Sequence, residues 1–269
     1  MPLKRNTIKF EYNITVPLQI IFVWLGLPFL VFLDSPWLSH YFLYGQDTVN
    51  AIMVFFYSWF LLGAKPRLRW LILLMTTVSF FAEIFGSLIL GLYQYHLKNI
   101  PMYIPLGHAV MYATVYQFCR RPLIWRYHTA IEKSLQRLAF ITSFMSLVLL
   151  KDAAGFICYI LFLIILYRRK KPLFYLSMFI MVYYLEFLGT AFSAWSWYSV
   201  LGNHPYFPPI AYTPSGIAGL YMLIDITTNA AYFYGKKIKK FLYNLATGPT
   251  LNLKSNTRYF LLKRTIHKL

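Results

Sequence analysis

Apolar runs about as long as a bilayer is thick recur along this chain, and two of them carry a glutamate inside the run. A helix needs about 20 apolar residues to cross the hydrocarbon core. A carboxylate at that depth costs at least about 3 kcal/mol, so it must pair, protonate or face water. The two acids are Glu83 and Glu186, and their surroundings repeat. Glu83-Ile-Phe-Gly86-Ser87 returns as Glu186-Phe-Leu-Gly189-Thr190. Pro105-Leu-Gly107-His-Ala109-Val-Met111-Tyr112 returns as Pro214-Ser-Gly216-Ile-Ala218-Gly-Leu220-Tyr221. Between the blocks stand Tyr93 and Tyr95 in one copy, Trp195 and Trp197 in the other. The duplication predicts two related halves that build one site between them.

Charge usage supports a polytopic membrane protein. Soluble domains carry about 25% charged residues; here the figure is 13%. A net charge of +18 would suggest nucleic acid in a soluble protein. Its distribution along this chain points to membrane topology instead, so no nucleic-acid partner is expected. Eight apolar segments read as spans: 14–33, 48–64, 70–92, 102–118, 135–150, 153–167, 173–194 and 209–234. The fifth and sixth are short, separated by Lys151-Asp152. With the N-terminus inside, all of the 26 Lys and Arg except Lys98 and Lys151 face the cytoplasm, as the positive-inside rule requires. Both termini are therefore expected in the cytoplasm, with the protein integral to the membrane (the inner membrane, if bacterial).

The fold class is thus all-α, with eight transmembrane helices as two parallel four-helix repeats. Residues 1–119 form the first repeat, 120–134 a basic connector, 135–235 the second repeat and 236–269 a basic tail that lies on anionic headgroups. The two cysteines, Cys119 and Cys158, read as packing thiols. Oligomeric state is not set by these patterns.

Glu83 and Glu186 are the candidate catalytic acids. A protonated carboxyl in an apolar pocket can give a proton to an electron-rich carbon or oxygen. The alternative is interhelical hydrogen bonding to Ser87, Thr190 or backbone. His108, which stands where the second copy has Ile217, suits proton transfer beside an acid, or serves as a hydrogen-bonded core histidine. Tyr93, Tyr95, Trp195 and Trp197 form part of an aromatic belt, or line a cavity and shield a developing carbocation. Asn203 and His204 are candidate rim residues in a Pro-rich loop over the outer end of the pocket. Asp225, in the last span, either joins the same cavity or pairs near the inner face. No two of the six histidines have the spacing of a helical ligand pair, so no metal or cofactor is expected.

Glu83-x-x-Gly86, Gly91-x-Tyr93-x-Tyr95 and Ile104-Pro105 resemble the acidic, glycine, aromatic and proline pattern of the carotenoid biosynthesis membrane family. Its members include bisanhydrobacterioruberin-type hydratases, and the pattern is more distantly similar to the heterodimeric lycopene cyclases. Where that family tends to have Trp soon after Ile-Pro, this chain has His108. The resemblance implies acid–base chemistry on an apolar polyene: hydration, cyclisation or isomerisation. Repeated halves with intramembrane acids equally suit a proton-coupled transporter or flippase. A non-catalytic subunit binding a lipid or partner is the third reading.

Overall fold

The computed structural model describes residues 15–169 and 172–246. Lys4, Arg5, Lys9, Glu11, Lys170, Lys171 and the tail from residue 247 lie outside the described residues. The chain forms ten α-helices there: α1 (Thr15–Leu33), α2 (Pro36–Ser39), α3 (Gly45–Gly63), α4 (Pro66–Glu83), α5 (Tyr103–Phe118), α6 (Pro122–Arg126), α7 (His128–Leu150), α8 (Ala153–Tyr167), α9 (Pro172–Ala191) and α10 (Tyr221–Ala246). A π-helical stretch, Ile84–Ile89, continues α4. Two short strands, β1 (Tyr93–Tyr95) and β2 (Trp195–Trp197), form an antiparallel ribbon.

The protein is all-α apart from that ribbon. Among the described residues, four helical stretches are long and apolar enough to cross a membrane: Thr15–Leu33, Pro66–Ile89, His128–Leu150 and Pro172–Ala191. Their outer faces carry exposed apolar side chains such as Leu25, Phe29, Phe81 and Leu149, as a lipid-facing surface requires. α8 is apolar but only 15 residues long, about 22 Å at 1.5 Å per residue.

Two divisions differ from the sequence reading. α7 begins at His128, so the fifth apolar segment belongs to a 23-residue helix and is not short. Its extra turns, residues 128–134, carry Glu132 and exposed Lys133, charged but good helix formers, which an apolarity criterion passes over. α10 begins at Tyr221, twelve residues after Pro209. Prolines 205, 208, 209 and 214 remove amide donors and push the residues before them out of helical geometry. That stretch instead forms short 3₁₀ turns and a bridge between Val200 and Pro209.

The chain divides into two compact units, Met1–Asn229 and Ala230–Leu269. Within the first, α5 packs against α1, α3 and α4, and α9 packs against α7 and the 3₁₀ turn Gly216–Gly219. These two groups meet where α9 touches α1 and α5, and through the ribbon. α5 and α9 are the most continuously buried helices. In the second unit, Lys236, Lys237, Lys239 and Lys240 alternate with exposed Ile238, Phe241 and Leu242.

Candidate active site

The repeated motifs meet each other. β1 comes from the first copy and β2 from the second, with Tyr93 opposite Trp197, Gln94 opposite Ser196 and Tyr95 opposite Trp195. Side chains alternate along a strand, so Tyr93, Tyr95, Trp195 and Trp197 share the buried face while Ser196 faces out. Their rings pack across the ribbon, with 4.8 Å between the centroids of Tyr93 and Trp197 and 6.1 Å between Tyr95 and Trp195.

Each half clamps its own acid with its own strand. Glu83 Oε2 accepts hydrogen bonds from the hydroxyls of Tyr93 (2.6 Å) and Tyr95 (2.7 Å). Glu186 Oε2 accepts from the indole N–H groups of Trp195 (2.9 Å) and Trp197 (3.0 Å). The remaining oxygens turn to α5 and α10. Glu83 Oε1 lies 3.0 Å from His108 Nε2, and Glu186 Oε1 accepts from the Tyr221 hydroxyl at 3.0 Å. The imidazole of His108 stacks on the ring of Tyr221, with centroids 5.0 Å apart. A continuous path of contact thus runs Glu83, His108, Tyr221, Glu186.

Both carboxyls line one cavity of about 10 Å³, walled also by Ile104, Leu185 and Tyr95. That is room for about one water. Both acids are 2% exposed and His108 3%, so each charge-assisted hydrogen bond acts in a low dielectric and contributes about 1.5–3 kcal/mol. Burial, reinforced by the Glu83 carboxylate, pushes the phenols of Tyr93 and Tyr95 well above the ordinary value near 10. They therefore stay donors through neutral pH.

The glycine three residues after each acid makes room for the clamp. A Cβ on Gly189 would overlap Cζ2 of Trp195, and one on Gly86 would meet the Tyr93 hydroxyl at 3.2 Å. Gly189→Ala is therefore expected to expel the indole and destabilise the protein by about 1–3 kcal/mol or more, whereas Gly86→Ala needs only a small shift of a ring. A thermal melt of both variants in detergent checks this; equal melting temperatures would contradict it.

Ser87 and Thr190 do not bond the acid side chains. The Ser87 hydroxyl donates to the carbonyl of Tyr93, and that of Thr190 donates to the carbonyl of Glu186 and pairs with Thr213. Glu83, Glu186, His108 and the four ribbon aromatics come together as one site. Asn203 and His204 do not join it. Both are exposed, and His204 packs near Tyr206 and Phe207 instead. Asp225 is fully buried but outside the acid cavity, with neither oxygen hydrogen-bonded among the described residues.

Two groups escape a reading by sequence position. Tyr221 closes the second repeat block, and its match to Tyr112 was the available signal. Asp34, directly after the first apolar segment, is 2% exposed. Its Oδ1 lies 3.0 Å from His96 Nε2, and its Oδ2 accepts from the Tyr103 hydroxyl at 2.6 Å. That cluster ties the end of α1 to the start of α5 and to the residue after β1.

No protein-family model, curated protein or solved structure matches this chain.

Proposed function

We propose that this protein is a membrane-embedded enzyme that acts on an isoprenoid or other apolar lipid by acid–base chemistry, without a cofactor. One observation carries the reading: Glu83, paired with His108, and Glu186 line a single buried, water-sized cavity walled by aromatic rings. The Glu83–His108 pair holds the proton. Its bond to that proton breaks as the π pair of a substrate double bond forms a new C–H bond. The positive charge left on carbon lies beside the Glu186 carboxyl and the faces of the ribbon aromatics. A water then adds its oxygen to the cation and returns a proton to the pair, so alkene and water give an alcohol. Loss of a different proton to the pair gives isomerisation; attack by a second double bond closes a ring and moves the charge to another carbon, which then loses a proton to the pair. Indole N–H groups only donate, so Trp195 and Trp197 keep Glu186 an acceptor throughout.

The test is a profile of apolar metabolites in cells expressing the wild type or the Glu83→Gln/Glu186→Gln double variant. A lipid or pigment altered by hydration, cyclisation or isomerisation only with the wild type supports the enzyme. Identical profiles from two inserted, folded proteins remove it.

This reading includes the finer architecture: eight spans, two parallel four-helix repeats and cytoplasmic termini. The charge asymmetry supports it, as do the two halves' equivalent acids. Asp34 at the end of α1 binds Tyr103, just before Pro105, and Asp152 at the end of α7 binds Ser215, just after Pro214. In a Cys119→Ala/Cys158→Ala background, a membrane-impermeant maleimide is expected to label Tyr206→Cys in intact cells. It should reach Lys133→Cys only after permeabilisation. Both native side chains are exposed. The reverse pattern would invert the topology.

One observation favours the transport reading. Asp225, a turn beyond Tyr221, is buried with neither oxygen hydrogen-bonded among the described residues. If the protein carries protons, Asp225→Asn abolishes proton flux into proteoliposomes; a wild type without flux ends that reading.

A further inference from the structure

Beyond the acid cavity, two helices each place a polar side chain at every turn. Residues four apart on a helix stand one above the other on one face. α5 presents His108, Tyr112 and Tyr116 in this way and ends at Arg120. α10 presents Tyr221, Asp225 and Asn229. The two rows face each other and run in the same direction. His108 stacks on Tyr221, with centroids 5.0 Å apart. Further along both rows, the Asn229 amide donates to the Tyr112 hydroxyl at 3.1 Å. Tyr112 stacks on Tyr116 with 6.3 Å between centroids, and the Arg120 guanidinium lies 3.4 Å over the Tyr116 ring. Tyr112 and Asp225 are buried, whereas Arg120 is exposed. A polar column thus leads from the cavity to the end of α5, which the topology proposed above puts on the cytoplasmic side.

We infer that this column is a proton path between the aqueous face at Arg120 and the acid site, with Asp225 as its relay. Asp225 is the member that demands it. Neither of its oxygens is hydrogen-bonded among the described residues, and the Asn229 amide beside it bonds its backbone carbonyl instead, at 2.8 Å. A carboxyl buried in a membrane has to pair, take up a proton or meet water. Between His108 and Arg120 the column holds no basic side chain to pair with it. A hard metal cation takes about six oxygens; one carboxyl is too few for that and enough for a proton.

The transfer balances. The Asp225 O–H gives its proton to the Tyr221 oxygen as Tyr221 passes its own to Glu186 Oε1, to which it already donates at 3.0 Å. The carboxylate left at 225 takes a proton from the Arg120 side, by way of Tyr112. One proton moves, and nothing is oxidised or reduced. Each step covers about one helical turn, 5.4 Å, within reach of a carboxyl that no bond holds, or of one bridging water. Glu186 and the Glu83–His108 pair line the same cavity, so the proton is then common to the site. The inference rests on the enzymatic reading for what the proton does there. Hydration returns its proton to the pair, so the path is not used at every turnover; it recharges a pair that has lost its proton.

The test follows the acids themselves. Full-length protein in nanodiscs is moved from H₂O to D₂O, and the deuterium shift of the carboxyl infrared bands that Glu83→Gln and Glu186→Gln remove is timed. Asp225→Leu should slow the shift by about a hundredfold or more, the lower end of what a positioned proton-transfer group contributes. Tyr112→Phe, which keeps the ring and removes only the hydroxyl, should slow it too. Asp225→Glu keeps a carboxyl and should stay close to the wild-type rate. Thr227→Val, on the exposed side of α10, should change nothing. The sign separates a relay from a structural role, because a substitution that merely loosens packing opens the site and speeds exchange. A wild-type or faster rate in folded Asp225→Leu would overturn the path. If that variant does not fold, a wild-type or faster rate in Tyr112→Phe would do so. The two readings fail separately. Exchange that depends on Asp225, without any product in cells, leaves the path standing and removes the enzyme. Product together with exchange indifferent to Asp225 does the opposite.

Discussion

Asp152→Ala is expected to destabilise the protein by about 3–5 kcal/mol, the usual cost of removing one partner from a buried charged network. The carboxyl is 0% exposed. Its Oδ1 accepts from the backbone N–H groups of Gly155 (3.0 Å) and Ala211 (3.2 Å). Its Oδ2 accepts from the Ser215 N–H (3.1 Å) and from the hydroxyls of Ser146 (2.9 Å) and Ser215 (3.4 Å). One side chain thus caps α8 and pins two points of the Pro-rich stretch before Gly216. Backbone groups in that stretch have few partners of their own, since proline interrupts regular structure there. Alanine leaves three buried N–H groups without an acceptor, each costing about 1–3 kcal/mol. An asparagine at this position keeps one acceptor but turns an amide N–H toward the Ser215 donor, so Asp152→Asn should fall between. The exposed Asp47 provides a control, with Asp47→Asn changing stability by about 0.5 kcal/mol or less. Thermal melts in detergent read all three. A fall for Asp152→Ala no larger than the control's would show that the network carries no stability.

The latch also matters for the site. Gly216 and Gly155 touch backbone to backbone, and a Cβ on Gly216 would run into the Gly155 carbonyl oxygen. The turn that Asp152 holds against α8 leads directly into α10, and so sets where Tyr221 reaches Glu186. Loosening the loop is therefore expected to disturb the acid pair without touching it.

How far the sequence reveals this arrangement depends on whether the signal is local. Glu83 and Glu186 stand out because a carboxylate in an apolar run is costly wherever it lies, and the repeated Glu-x-x-Gly gives the same local geometry twice. The reason for the glycine is tertiary: an aromatic from a strand several residues away closes over it. Tyr-Gln-Tyr and Trp-Ser-Trp do alternate, the period of a strand. Three residues beside a membrane interface also look like an aromatic belt, and the pairing of β1 with β2 spans about a hundred residues of chain. Asn203 and His204 illustrate the opposite error. Polar residues in a proline-rich loop look like a rim, but the loop's direction is set by Asp152, far away in sequence. Asp34 and Asp152 read as ordinary loop acids because their burial comes from the segments that fold back onto them.

Glu83→Gln and His108→Gln are each expected to lower product formation by about 10²–10⁴-fold, the contribution of a positioned acid or base. The substitutions separate shape from proton exchange. A glutamine at 108 keeps an N–H donor near the position of Nε2, so the bond to Glu83 Oε1, now 3.0 Å, can persist while the proton cannot be passed on. A glutamine at 83 keeps the volume of the acid but presents an amide N–H to the hydroxyl of Tyr93 or Tyr95, which must rotate away. The double variant should be no slower than the worse single one, because the two groups act as a unit. A purely structural pair behaves otherwise. Activity would then follow melting temperature, His108→Gln would retain most of it, and the two losses would add. Tyr221 adds a separate check. Tyr221→Phe keeps the ring stacked on His108 but removes the donor to Glu186 Oε1. It should slow product formation less than either change at the proton pair, since Glu186 keeps both indole donors. A loss as deep as that of Glu83→Gln would move the proton's path to the Tyr221 side of the cavity.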